Sequence, residues 1–182
     1  MRKLRVAVIG LGNWGQCHLE SFKALPQVDV VAICDKSEER VSNMGNKYNV
    51  INRYTNADEV IIRDDIDLIS IVTYEDQHFS PTLNALNSGK HVIVEKPVST
   101  HLEEAREMWR IAKENEKYII PGHLLRFDAQ YAEIYKSIRS EEVGSPISLY
   151  LKRARPKNLF ELYQRIHTVY ESTVHDLDIA IW

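Results

Sequence analysis

At 182 residues, 44% hydrophobic and with a formal charge of −3, the chain can bury a sizeable core and has no general electrostatic attraction to nucleic acid or to an anionic membrane. Its two cysteines, Cys17 and Cys34, fall in a predicted helix and at the end of a predicted core strand. They suggest neither a disulfide framework nor a zinc motif, so no metal is expected and a reducing, cytoplasmic setting fits. The apolar run after Met1-Arg2-Lys3 breaks at Gly10, short of a secretion signal. No segment approaches the ~18 uninterrupted apolar residues of a membrane span.

The first element is a strand over 4–9 that runs directly into Gly10-Leu11-Gly12-Asn13-Trp14-Gly15 and an amphipathic helix near 13–25. Strand, G-x-G-x-x-G and helix together form the setting of a dinucleotide site. Gly10 allows the tight turn, Gly12 lets a pyrophosphate approach the backbone, and Gly15 lets helix and strand pack closely. Phosphates would rest on the N–H groups of the helix start, near Asn13 and Trp14, where the backbone dipoles favour negative charge. A glycine-rich turn without a ligand is the plainer alternative.

A second strand, 28–34, ends at Asp35, about twenty residues past Gly15. A carboxylate there can accept hydrogen bonds from the adenosine ribose and repel a 2′-phosphate, which favours NAD over NADP. Lys36 could instead neutralise that phosphate, so NADP is not excluded. Asp35 also reads as a helix-start acid ahead of Ser37, a candidate N-cap for a helix over 37–48. Both roles can coexist.

Strands near 67–73, 91–94 and 118–120, a weaker one near 51–54, and helices near 56–62, 79–88 and 101–115 follow. Thr100 and Glu103 have capping-box spacing for the last of these helices. Strand–helix alternation of this kind predicts an α/β fold, a Rossmann-type doubly wound parallel sheet over residues 1–122. Beyond Gly122 the pattern changes to a helix near 126–139, a turn at Gly144-Ser145-Pro146, an alternating strand over 147–154 and a closing helix. Residues 123–182 are therefore expected to begin an α+β second domain without completing it.

Ligands of open parallel sheets bind beyond the carboxyl ends of the strands. Three segments matter in that light. Thr73 leads through Tyr74-Glu75-Asp76-Gln77 to His78, which is either close to a cofactor or simply a helix-start residue. The strand at 91–94 delivers Glu95-Lys96-Pro97 to the same edge; Lys96 there can orient a substrate oxygen or relay a proton, unless the loop is merely solvated. On a helix, Glu171, His175 and Asp178 share one face and Val174, Leu177 and Ile181 another, the pattern of a site-lining helix.

Gly10 to Gly15, Asp35, Thr73 with His78, Glu95-Lys96-Pro97, Gly122-His123-Leu124-Leu125-Arg126-Phe127 and His175-Asp176-Leu177-Asp178, in that order, resemble the glucose–fructose oxidoreductase / inositol dehydrogenase / rhizopine catabolism (Gfo/Idh/MocA) family. The resemblance implies NAD(P)-dependent oxidation or reduction of a secondary alcohol in a small-molecule sugar, nucleotide sugar or cyclitol. It also implies a homo-oligomer in the full-length form. Lys96 matches the motif lysine that contacts the reacting hydroxyl, and His175 the histidine assigned proton transfer. Glu171 stands where many members carry an aspartate, and Tyr74-Glu75 where Pro-Asn is common. Family members continue with a mostly antiparallel sheet. The expectation is thus a fragment of a longer enzyme, a short relative, or a nucleotide-binding sensing or assembly module without catalysis.

Overall fold

The computed structural model describes residues 2–154 and 172–182. The chain divides into two units, Met1–Gly122 and His123–Trp182.

In the first unit, β1 (Leu4–Ile9), β2 (Val28–Cys34), β3 (Asn52–Tyr54), β4 (Leu68–Ile71), β5 (His91–Val94) and β6 (Ile119–Pro121) form one sheet in the order β3-β2-β1-β4-β5-β6. Every neighbouring pair is parallel. The strands are apolar on both faces because helices cover both. Ala7 and Ile9 of β1 join one buried cluster with Ala85 and Leu86 of α4 (Phe79–Asn87) and Ala112 of α5 (Leu102–Glu114). Val8, one residue out of phase, joins the other, with Leu19 of α1 (Asn13–Ala24) and Val41 of α2 (Glu38–Tyr48). This is the two-residue alternation of a strand, sorted onto two dry faces. The short α3 (Ala57–Ile61) adds Val60 and Ile61 to the first cluster. Chain direction across the sheet reverses between β1 and β4, a switch point where the strand carboxyl ends leave a crevice.

The doubly wound sheet agrees with the sequence reading, with differences at element ends. Strand β4 is shorter than the 67–73 expected. The expected Thr100–Glu103 box is absent: α5 starts after His101, which receives no side-chain cap, and the local bonds run from the His101 N–H to Ser99 Oγ (2.9 Å) and from Ser99 Oγ to Glu104 (2.5 Å). The helix takes His101 as its N-cap, so Thr100 stands one residue before the position a capping box requires.

In the second unit a short 3₁₀ turn (Leu124–Phe127) precedes α6 (Ala129–Arg139). The helix expected from 126 begins later because the Asp128 carboxylate accepts from the Gln130 N–H (2.9 Å) and Tyr131 N–H (3.5 Å), an N-cap that starts a fresh helix. The strand expected over 147–154 is not formed: those residues carry no strand hydrogen bonding, and Ile147 and Tyr150 are exposed. Alternation makes a strand only when a partner ladder takes up the backbone groups, and none lies among the described residues. The closing helix is α7 (Val174–Ile181). No helix among the described residues is long and apolar enough to cross a membrane.

Candidate functional site

Because the sheet is parallel, β1, β2, β4 and β5 all deliver their following loops to one edge. The β1 turn is pinned there on both sides: the Gly10 N–H donates to Cys34 O (2.8 Å) and the Val72 N–H to Ile9 O (2.8 Å). Gly10 has φ +93°, and a Cβ built on it would stand 2.5 Å from Val72 O. A Cβ on Gly15 would overlap the Gly10 carbonyl, so the helix can approach the turn only with glycine there. Gly12, by contrast, faces open space and is the N-cap of α1 with no side chain bonded to that helix start. A glycine turn with room above it, over a helix N-terminus that no side chain caps and with Asn13 and Trp14 exposed beside it, fits a pyrophosphate.

Asp35 is buried at the end of β2. Its Oδ2 accepts from the Leu11 N–H (2.7 Å), its Oδ1 accepts from the Ser37 N–H (2.9 Å), and Arg40 pairs with Oδ1 at 3.3 Å. Ser37 Oγ in turn caps α2 through the Arg40 N–H (3.3 Å). Asp35 thus ties the glycine turn to the start of α2, and Oδ2, with one backbone donor, keeps further acceptor capacity. Lys36 is exposed, its Nζ reaching Gln77 Oε1 at 3.3 Å. Burial, then the charges of Asp35 and Glu59, push the neighbouring Cys34 thiol up to about 12, which leaves it as packing.

Thr73 Oγ1 donates to Gln77 O (3.3 Å) across the loop after β4. The imidazole of His78, 1% exposed, lies with Nδ1 2.9 Å from Pro97 O and Nε2 3.1 Å from Thr73 O. It clasps the β4 loop to the Glu95-Lys96-Pro97 loop, in which the Lys96–Pro97 peptide is cis. Lys96 is buried, and its N–H donates to Glu95 Oε2 at 3.3 Å. Glu95 is buried too, and its Oε1 accepts from His18 Nε2 at 3.0 Å. Burial pushes the Glu95 carboxyl up, but the hydrogen bond and charge of His18, with the N–H and charge of Lys96, outweigh it and hold the group below the usual range.

His18 escaped the sequence reading. Its signal was available: it lies three residues past Gly15 on the stripe of α1 that includes buried Leu19 and half-buried Phe22, an odd place for an imidazole unless something polar lies opposite. Opposite is Ser70, the one polar residue in the apolar β4.

In the second unit His175 is buried on α7. Two arginine forks fix that helix: Arg126 to Asp178 at 2.9 and 2.6 Å, and Arg153 to Asp176 at 2.8 to 3.2 Å. His123 Nδ1 lies 3.6 Å from Asp178, and Trp182 stacks on Tyr135 at 4.0 Å. Burial raises the Asp178 carboxyl while Arg126 and His123 more than offset that, so it stays below its ordinary value. Glu171 lies outside the described residues. The structure therefore joins Gly10, Gly12 and Gly15 to Asp35, and Thr73 and His78 to the Glu95–Lys96 loop, within one unit; His175 belongs to the other.

Comparison with known proteins places the fold in a family. The chain is 25% identical to inositol 2-dehydrogenase of Salmonella typhimurium over 182 residues, 98% of this chain and 54% of that protein. A myo-inositol 2-dehydrogenase structure from Lactobacillus plantarum superposes with TM-score 0.85 at 26% identity, over 100% of this chain and 56% of that one. The scyllo-inositol dehydrogenase of Lactobacillus casei, solved with NAD(H) and scyllo-inositol, superposes with TM-score 0.89 at 20% identity, over 100% of this chain and 56% of that one. The chain spans about half the length of the curated relatives it matches. The Gfo/Idh/MocA model, that of an oxidoreductase family with an NAD-binding Rossmann fold, matches residues 4–123, and the chain belongs to that family.

Proposed function

We propose that the protein exchanges a hydride between a secondary alcohol of a polyol or sugar-like substrate and the nicotinamide of NAD, with a cyclitol as the first substrate to try. The observation that carries this is Lys96, a buried lysine at the carboxyl end of β5, on the same sheet edge as the open glycine cradle. Gly10, Gly12, Asn13, Trp14 and Gly15 would hold the pyrophosphate. Asp35 with Lys36 would face the adenosine ribose, and the loops of Thr73, His78 and Glu95 would border the nicotinamide end. NAD, when bound, supplies the hydride acceptor. Lys96 polarises the substrate oxygen through its ammonium. His175 takes the hydroxyl proton during oxidation, and Glu171 orients its ring. Asp35 disfavours a 2′-phosphate, while Lys36 and Arg40 beside it soften that bias, so NADP ranks second. The inositol dehydrogenases among the relatives support the cyclitol choice.

The test is fluorescence titration with NADH, followed by an assay of NAD reduction against inositols, glucose and nucleotide sugars. Lys96→Ala and His175→Ala should each lower turnover by about 10²- to 10⁴-fold, the usual worth of positioned acid–base groups, with little change in NADH affinity. Gly12→Ala should weaken NADH binding by at least about tenfold at unchanged melting temperature, because its Cβ enters open space that the phosphates need. Undiminished turnover in both the lysine and the histidine variants, or no NADH binding by the parent chain, would refute the assignment.

A further inference from the structure

Strand alternation places Ser70 of β4 and Glu95, just past β5, on the face of the sheet that α1 covers. Their neighbours Ile69, Ile71 and Val94 point to the opposite cluster. His18 bridges the two polar groups, with Nδ1 2.9 Å from Ser70 Oγ and Nε2 3.0 Å from Glu95 Oε1. Ser70 is fully buried, and Glu95 is 8% exposed. Gly122 closes the cage, since a Cβ there would lie 2.6 Å from Glu95 Oε1 and 3.4 Å from its Cα. The second carboxylate oxygen, Oε2, accepts the Lys96 N–H. One carboxylate thus bonds a side chain of the helix that starts at the glycine cradle and the main chain of the lysine loop.

A carboxylate only accepts, so Nε2 carries the proton in this arrangement. The Ser70 hydroxyl rotates and can donate to Nδ1 or accept from it. The ring is therefore held at both ends in either charge state, and the bond to Glu95 is never traded away. Without that donor, Glu95 would be a buried charge supported chiefly by Lys96, and burial would favour its neutral form.

We propose that His18 is a positioning residue for Lys96: acting through Glu95, with Ser70 fixing its ring, it keeps the carboxylate beside the lysine ionised and in place, and so couples the dinucleotide-binding helix to the lysine loop. Its bearing on catalysis rests on the role given above to Lys96; the network itself does not.

The experiment is NMR of the 182-residue chain without substrate, so it reads the network whether or not turnover is found. In the parent protein the His18 ring nitrogens should show a protonated Nε2 at neutral pH. A ring protonated only at Nδ1 overturns the proposal, with no variant needed. In His18→Asn, whose shorter amide can still meet Ser70, the Glu95 carboxyl ¹³C titration should move up by about one pH unit or more and the Lys96 amide should shift. His18→Gln, long enough to donate to Glu95, should restore both toward the parent values. A merely structural histidine would lower the melting temperature of both variants alike and leave the Glu95 titration where it was. That pattern, or a Gln variant no closer to the parent than the Asn variant, overturns the proposal.

Discussion

The two units are stabilised by different physics. Among the described residues, the buried apolar side chains all lie between Val6 and Ala112, on the two faces of the parallel sheet. The stretch after Gly122 has two arginine–carboxylate forks and an aromatic stack, while Phe127, Ile147, Tyr150 and Ile181 remain exposed. Apolar burial is non-directional and cooperative, whereas a charged fork is local and weakened by salt and acid. The first unit should behave as one cooperative block, and α7 as an element whose order depends on two side-chain pairs.

The largest effect should come from the block. Ile69→Ala, at a residue fully buried in the central sheet, should cost about 2–5 kcal/mol, read as an equal loss of protection across the most slowly exchanging amides of β1, β4 and β5. Protection lost only around β4 would deny the cooperativity. Next in size, Asp178→Asn removes one fork and should cost α7 about 1.5–3 kcal/mol, seen as roughly 10- to 100-fold faster exchange over Val174–Ile181 with β1 and β4 unaffected. Faster exchange in the sheet would erase the contrast.

The smallest effect sharpens the comparison by placing a charged clamp inside the apolar block. Asp67 accepts from the Arg5 N–H (2.9 Å) and Arg5 Nη2 (3.1 Å) and also pairs with Arg2. The Arg5 guanidinium, against burial and with help from the Arg5 N–H and Arg2, holds the Asp67 carboxyl down at about 2. Its folded value is depressed, so the clamp is fully present above the unfolded value near ~4 and is lost as pH falls toward the folded one. Asp67→Asn should cost about 1 kcal/mol at neutral pH and flatten the acid limb of the melting temperature between those pH values. An unchanged acid limb would remove Asp67 as its source.

Much of the first unit was legible because its elements follow from local pattern: apolar runs ended by glycine or acid, and helices with caps such as Ser37. What stayed hidden was partnership between distant elements. Nothing near position 18 states that Ser70 and Glu95 will face it, and the enclosure of His78 by two carbonyls depends on loops separated by a helix. The alternation of 147–154 is a true pattern that makes no strand, because a ladder needs a second chain segment that the pattern cannot supply. Arg153 shows the same limit: it lies in that alternating stretch, yet its structural partner is Asp176.

The parallel sheet has one more consequence, for tolerance to change. Asp67, Arg5 and Lys90, whose Nζ bonds Arg63 O at 2.7 Å, secure the end where strands enter the sheet, while the glycine turn, Asp35 and Lys96 occupy the end where they leave it. On the proposed function, stability and chemistry are written at opposite poles of the same strands. The entry pole is therefore the place to engineer robustness, and drift there should leave the reactive pole's vocabulary of residues intact.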